Sequence, residues 1–292
     1  MNEYPIVDAH VHILPARRQS GLMRWIHRAF PEHPVPGDID KYGILEDLER
    51  NRTKYFFNLV YPLNKFETDN LNLFNYQISK EYSNSACWGS LHPDNESKEG
   101  IIDKCISDYG FIGMKFHPFI QDFDVLDDGM KIVFEKMNEH RRPVFIHTGF
   151  DDFYNRRFDP GSIDVLMERY PDLSIILSHM FFPRIGECFM LMEKHKGLIG
   201  DLTNVPGALR MISEERGVPV SDMEITTLIK EKSEQFSERL IYGSDHPAGM
   251  GGYKTIFRDF DNIGFSSQVS RKIRYDNPIR IVNSYSNERW LI

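Results

Sequence analysis

The sequence predicts an α/β protein of the (β/α)8 class, a TIM barrel, and three observations carry that prediction. Eight short runs rich in β-branched and aromatic residues, each bounded by turn residues, recur along the 292 residues. Segments whose apolar residues follow helical spacing separate them. Consecutive run ends, near residues 12, 61, 92, 117, 147, 179, 204 and 245, fall about 25 to 50 apart, as right-handed strand-to-strand crossovers require.

In order, the runs are Ile6 to Ile13, Lys54 to Pro62, Ala86 to Pro93, Phe111 to Pro118, Pro143 to Gly149, Leu173 to Met180, Gly197 to Asn204 and Leu240 to Pro247. Several are apolar almost throughout, as in Leu173-Ser174-Ile175-Ile176-Leu177, which suits strands buried on both faces of a parallel sheet. Among the segments between them, Ile44, Leu45 and Leu48 form one helical stripe and Ile101, Ile102, Cys105 and Ile106 another. Ile132, Val133, Lys136 and Met137 mark a third, with one polar interruption. A doubly wound open sheet is the rival architecture, but Val11-His12-Ile13-Leu14-Pro15 offers no G-x-G-x-x-G after the first strand. No repeat or low-complexity linker divides the chain, so a single domain over residues 1–292 is expected.

Composition narrows the function classes. With 41% hydrophobic and 27% charged residues the chain has material for a sizeable core. Its 43 acidic against 35 basic side chains give a formal charge of −8, which leaves no basic excess for nucleic acid. Cys87, Cys105 and Cys188 have neither the spacing of a cysteine zinc site nor the parity of a disulfide framework, which fits a reducing compartment. The opening Met1-Asn2-Glu3-Tyr4-Pro5 enters a strand-like run without a basic or apolar leader, and no run approaches the roughly 18 apolar residues of a membrane span. The expectation is a soluble, cytoplasmic protein whose partner is a small-molecule substrate, with no nucleic acid and no membrane; a homo-oligomer stays open.

Three strand-to-helix connections are long. The first, Leu14 to Asp38, carries Arg17, Arg18, Arg24, Trp25, His27, Arg28 and His33; the second, Phe150 to Asp159, holds Tyr154, Arg156 and Arg157; the third, Val205 to Ser221, holds Arg210 and Met211. In a barrel all three rise from the face where catalytic loops sit. A cationic cover over a site for an anionic substrate is one reading, and a solvated or subunit-contacting helix over Arg17 to Phe30 is the other.

The strongest functional signal is Asp8-Ala9-His10-Val11-His12. Side chains two apart on a strand share a face, so His10 and His12 converge near the mouth of the barrel. His117, His147 and His179 stand at the ends of the fourth, fifth and sixth runs, and Asp245 near the end of the eighth. Neutral imidazole and carboxylate are ligands preferred by zinc and related divalent ions, and three protein ligands plus water leave an open catalytic position.

In this order, Asp8-Ala9-His10-Val11-His12, Gly113-Met114-Lys115-Phe116-His117-Pro118, Phe145-Ile146-His147-Thr148-Gly149, Ile176-Leu177-Ser178-His179 and Tyr242-Gly243-Ser244-Asp245-His246-Pro247 resemble the amidohydrolase superfamily. More narrowly, they resemble the amidohydrolase-related branch that contains aminocarboxymuconate semialdehyde decarboxylase. The resemblance runs from the first strand to near Asn277-Pro278. It implies that His10, His12 and His147 bind the metal, and that Asp245 is a further ligand or accepts a proton from the water the ion activates. It makes His179 a catalytic acid or base in a single-metal enzyme, or a ligand of a second ion in a two-metal one.

Lys115 separates those two states. The resemblance includes relatives in which this strand-four lysine is carboxylated and bridges two metals; uncarboxylated, it is a cation placed to hold a substrate carboxylate. Pairing with Asp245 or another carboxylate is the structural alternative, and His117 is read with Lys115 as a second-metal or substrate contact. One divalent ion, zinc first, is the favoured state, and a second ion with carboxylated Lys115 is the alternative. His92 either touches substrate or caps its strand, His246 points out of phase with Asp245, and His140 and His195 stand near helix ends.

The expected activity is hydrolysis of an amide, lactone or related carbonyl bond of a small anionic substrate. A metal-dependent non-oxidative decarboxylase is the alternative, followed by a metal-free ligand-binding barrel. A serine hydrolase is disfavoured, because Tyr242-Gly243-Ser244-Asp245 lacks the closing glycine of a nucleophile elbow.

Overall fold

The structure is a computed structural model that describes residues 5–286 and Trp290. Among the described residues eight strands alternate with helices: β1 Ile6–Val11, β2 Thr53–Leu59, β3 Ser85–Trp88, β4 Met114–Phe116, β5 Val144–His147, β6 Ile175–Ser178, β7 Leu198–Asp201 and β8 Leu240–Ile241. Each lies within or beside one of the eight runs, but most are shorter. The eighth run reaches Pro247 whereas β8 ends at Ile241, and the sixth reaches Met180 whereas β6 ends at Ser178. The cause of the second is backbone: His179, Met180 and Phe181 all have positive φ, which no strand admits.

The described residues fall into two compact units, each drawn from separate stretches of chain. The first takes residues 5–58 and 202–279, the second 59–201 with 280–286 and Trp290. In the first, β1 pairs in parallel with β2, Val7 opposite Tyr55 and Asp8 opposite Phe56. On the other edge of β1, Ala9 N–H donates to the Tyr242 carbonyl at 3.1 Å and His12 N–H to that of His246 at 2.8 Å. The long first connection is largely helix, Ala16–Ala29, because Gln19, Met23 and Ile26 bury one stripe while Arg17, Arg24 and Arg28 stay in solvent. Helix Lys41–Arg50 buries the expected Ile44 and Leu48 and is capped by Asp40, whose carboxylate accepts from the Tyr42 and Gly43 N–H groups.

In the second unit, β4 to β7 run parallel without a register shift. Lys115 stands opposite Phe145, Phe145 opposite Ile176, His147 opposite Ser178 and Ser178 opposite Asp201. Every residue of β5 and β6 is buried, the condition that makes parallel strands read as apolar runs. Gly113 is obligatory before β4: a Cβ there would stand 2.0 Å from the Pro143 carbonyl oxygen. Helix Lys98–Asp103 opens into a wider π turn at Lys104–Asp108, which carries Cys105 and Ile106 into the core. No helix among the described residues is long and apolar enough to cross a membrane.

Burial pushes the Cys87 and Cys105 thiols up to about 12, and Cys188 is raised for the same reason. At pH 8 only about one thiol in ten thousand is then thiolate, the reactive form. The native protein should show no iodoacetamide labelling over an hour and three labelled cysteines in guanidinium; fast labelling of the native state would contradict this packing.

Candidate metal centre

Alternation along β1 puts Val7, Ala9 and Val11 on one face and Asp8, His10 and His12 on the other, all of them buried. The His10 and His12 rings meet edge to face, with centroids 5.1 Å apart. Asp245 reaches them from the turn after β8, not from the strand. Its φ of 58° reverses the chain, and its N–H donates to the His10 carbonyl at 2.7 Å. Asp245 Oδ1 then lies 2.9 Å from His12 Nε2 and 3.5 Å from His10 Nε2, with the side chain 13% exposed. Ligand atoms bound to one ion at roughly 2.0–2.2 Å stand about 2.9–3.5 Å apart for angles between about 90° and 110°. Each imidazole nitrogen thus stands at a distance from Asp245 Oδ1 that two ligands of one divalent cation can have.

Two further residues hold the carboxylate and its turn. Asn204 Nδ2 donates to Asp245 Oδ2 at 2.5 Å. Asp8, behind the histidines, accepts from Ser244 N–H at 2.8 Å, Ser244 Oγ at 2.6 Å, Tyr253 Oη at 2.8 Å and His10 N–H at 3.2 Å. Complete burial raises the Asp8 carboxyl despite those four donors. Burial, then the neighbouring Asp8, pushes the Tyr253 hydroxyl well above its ordinary range, and that hydroxyl also meets Thr53 Oγ1 at 2.6 Å. Tyr253→Phe leaves two buried oxygens short of a partner and should cost about 1–3 kcal/mol. Urea unfolding of the metal-free variant measures it, and an unchanged midpoint would discount the network.

In the second unit, β4, β5 and β6 bring four candidates together. Lys115 is wholly buried; its Nζ donates to Ser178 Oγ at 2.8 Å and lies 4.7 Å from the centre of the Phe145 ring. His117 caps the short helix Pro118–Gln121 and stacks on His147, with centroids 3.7 Å apart and planes 14° from parallel. His179 leaves β6 on a left-handed residue, φ 63°, and its ring packs edge to face on His147 at 4.6 Å. His147 Nε2 lies 3.1 Å from the Gly149 carbonyl, which can only accept, so Nδ1 carries the lone pair an ion would take. Tyr154 closes the group, its Oη 3.3 Å from His117 Nε2 and its ring against both histidines.

The remaining conspicuous residues have structural partners. His92 Nδ1 accepts from Asp94 N–H, His246 Nε2 lies 3.1 Å from Asp47, and His140 and His195 pair with Asp103 and Asp164. Arg156 binds Asp122 and the Pro118 and Phe123 carbonyls, Arg184 binds Asp151, and Arg157 is exposed. Arg156, Arg157, Arg184 and Asp151 line a cleft of about 600 Å³ with Asp152 and Asn155. Arg210 grips Asp259 and the Met250 carbonyl.

A family model described as amidohydrolase matches residues 7–283, a span that contains every residue of both clusters. The chain belongs to the amidohydrolase family. A search of curated proteins gives no match. Among solved structures, an uncharacterised TIM-barrel protein from Bordetella bronchiseptica is similar with a TM-score of 0.70 at 14% identity, over 97% of this chain and 99% of that one. A 5-carboxyvanillate decarboxylase from Novosphingobium aromaticivorans, with manganese and 4-hydroxy-3-methoxy-5-nitrobenzoic acid, gives 0.65 at 13% identity over 97% and 96%. A probable 2-pyrone-4,6-dicarboxylic acid hydrolase from Acinetobacter baumannii, with citric acid bound, gives 0.63 at 13% over 96% and 99%.

This amidohydrolase therefore has the (β/α)8 fold expected of its sequence. Its sequence reading passed over Asp8, Asn204 and Tyr253. Asp8 carried a readable signal, as the one carboxylate in a strand that is apolar apart from it and His10, where a buried acid demands donors. Asn204 carried none, because its partners lie 41 and 46 residues away.

Proposed function

We propose that this amidohydrolase is a metal-dependent hydrolase that opens an amide, lactone or related carbonyl bond of a small anionic substrate. His10, His12, His147 and Asp245 would hold one divalent ion, zinc first. The observation that carries the proposal is the approach of two imidazole nitrogens, at 2.9 and 3.5 Å, to one oxygen of Asp245. When bound, the ion supplies an activated water with a pKa near 7 and an electrophile for a carbonyl oxygen.

The chain's own groups supply the rest. Asp245 takes the proton of the attacking water, and its reach is set by the hydrogen bond that fixes its other oxygen. His179 polarises the carbonyl or protonates the leaving group. Lys115 is the cation for a substrate carboxylate or, if carboxylated, the bridge to a second ion; its complete burial and the Phe145 ring beneath it suit a group screened from water.

Metal-dependent decarboxylation is the second reading, favoured by the fold likeness to a decarboxylase crystallised with manganese. There Asp245 or His179 delivers a proton to the carbon that loses carbon dioxide. Metal analysis of protein purified without added ions, followed by turnover of amide, lactone and aromatic acid panels in ¹⁸O-water, tests both. Solvent oxygen in the organic product supports hydrolysis, and carbon dioxide without it supports decarboxylation. Absence of bound ion and of zinc- or manganese-dependent turnover overturns the enzymatic proposal.

A further inference from the structure

We infer that Asn204 is a positioning residue that locks Asp245 into binding the ion through Oδ1 alone. The inference rests on the metal-centre reading above. The Asn204 amide is used at both ends: Nδ2 donates to Asp245 Oδ2 at 2.5 Å and Oδ1 accepts from Met250 N–H at 3.1 Å. Only one amide orientation satisfies both, since a flip would set oxygen against carboxylate and NH2 against N–H. With Oδ2 held by Asn204, the oxygen of Asp245 that faces His12 and His10 is Oδ1.

The backbone explains why asparagine suits this position. Asn204 has φ 64° and ψ −16° and immediately precedes helix Val205–Arg216, whose Ala208 N–H donates to its carbonyl at 2.9 Å. Apart from glycine, asparagine and aspartate take a left-handed conformation at least cost, and of these only asparagine also offers an N–H donor. The turn it clamps is held again further on, where Arg210 of the same helix donates to the Met250 carbonyl at 3.0 Å. One helix thus fixes Asp245 and the far end of its turn together. An ion-binding carboxylate whose second oxygen is held in this way loses less freedom on binding and offers fixed geometry.

The test uses Asn204→Asp and Asn204→Gly. Both tolerate the left-handed backbone; the first keeps the acceptor for Met250 and loses the donor, and the second loses both. Each is titrated with cobalt(II) beside the wild type, and the metal-free proteins are compared by thermal melting and by hydrogen exchange over 245–251. The inference expects roughly 10- to 100-fold weaker cobalt binding in both variants. It also expects an altered d–d spectrum in both and faster exchange of the turn in Asn204→Gly. Wild-type affinity and spectrum in both variants overturn it, whatever the melting temperatures. If the wild type itself takes up no cobalt, the metal-centre reading falls; turn exchange in metal-free Asn204→Gly then decides the clamp separately, unchanged exchange overturning it.

Discussion

Replacing His12 by alanine is expected to abolish metal content and activity together. His12 Nε2 makes the shorter of the two imidazole approaches to Asp245, and its backbone N–H is tied to the turn after β8, so the side chain can be removed while its strand pairing stays. In the proposed centre its loss removes one of the three imidazole donors, the one nearest Asp245. Bound metal should fall from about one equivalent to a small fraction, and kcat/KM by on the order of 10³-fold, equivalent to about 4 kcal/mol of transition-state stabilisation. Plasma emission analysis and steady-state kinetics measure the two. A variant that keeps both metal and turnover would remove His12 from the centre.

His179→Ala is expected to separate those two readouts. If His179 acts as an acid or base, the variant keeps its ion and loses roughly 10²- to 10⁴-fold in kcat. Its ring packs against His147 rather than carrying the strand, and Thr148 N–H still donates to the Ser178 carbonyl, so β5 and β6 should stay paired. If metal content instead halves, the state with two ions and a carboxylated Lys115 is the correct one. The mass of the intact protein then carries the carboxyl group under gentle ionisation, and Lys115→Ala should lose the same half.

What could be read from residues alone follows from the physics of parallel sheets. Val144 to Ile146 and Ile175 to Leu177 announced themselves because both faces of their strands are buried, so no polar alternation interrupts them. His10 and His12 were legible for the complementary reason: a period of two assigns them one face whatever surrounds them. The turns beyond the strands were not. Asp245 and His179 arrive through left-handed residues, and nothing local in Ser244-Asp245-His246 or Ser178-His179-Met180 demands positive φ in the absence of glycine. Runs drawn to Pro247 and Met180 therefore overshot the ladders by several residues in one case and two in the other. The helix in the first long connection was masked by its arginines, since its buried stripe is a glutamine, a methionine and an isoleucine within eight residues.

The first unit joins opposite ends of the chain: β1 begins at Ile6, and the residues that satisfy Asp8 lie at Ser244 and Tyr253. During synthesis the histidine-bearing strand must wait for more than two hundred residues before its buried acid finds donors. The second unit, drawn mostly from one unbroken stretch, can close while that wait continues. Ribosome-bound chains halted near residue 245, with β7 outside the exit tunnel and Ser244 still inside it, should accordingly protect β4 to β7 from protease and leave β1 cleavable. The step that unites the ends comes late, and the cost of closing so long a loop falls on the same pairing that holds His10 and His12 in place.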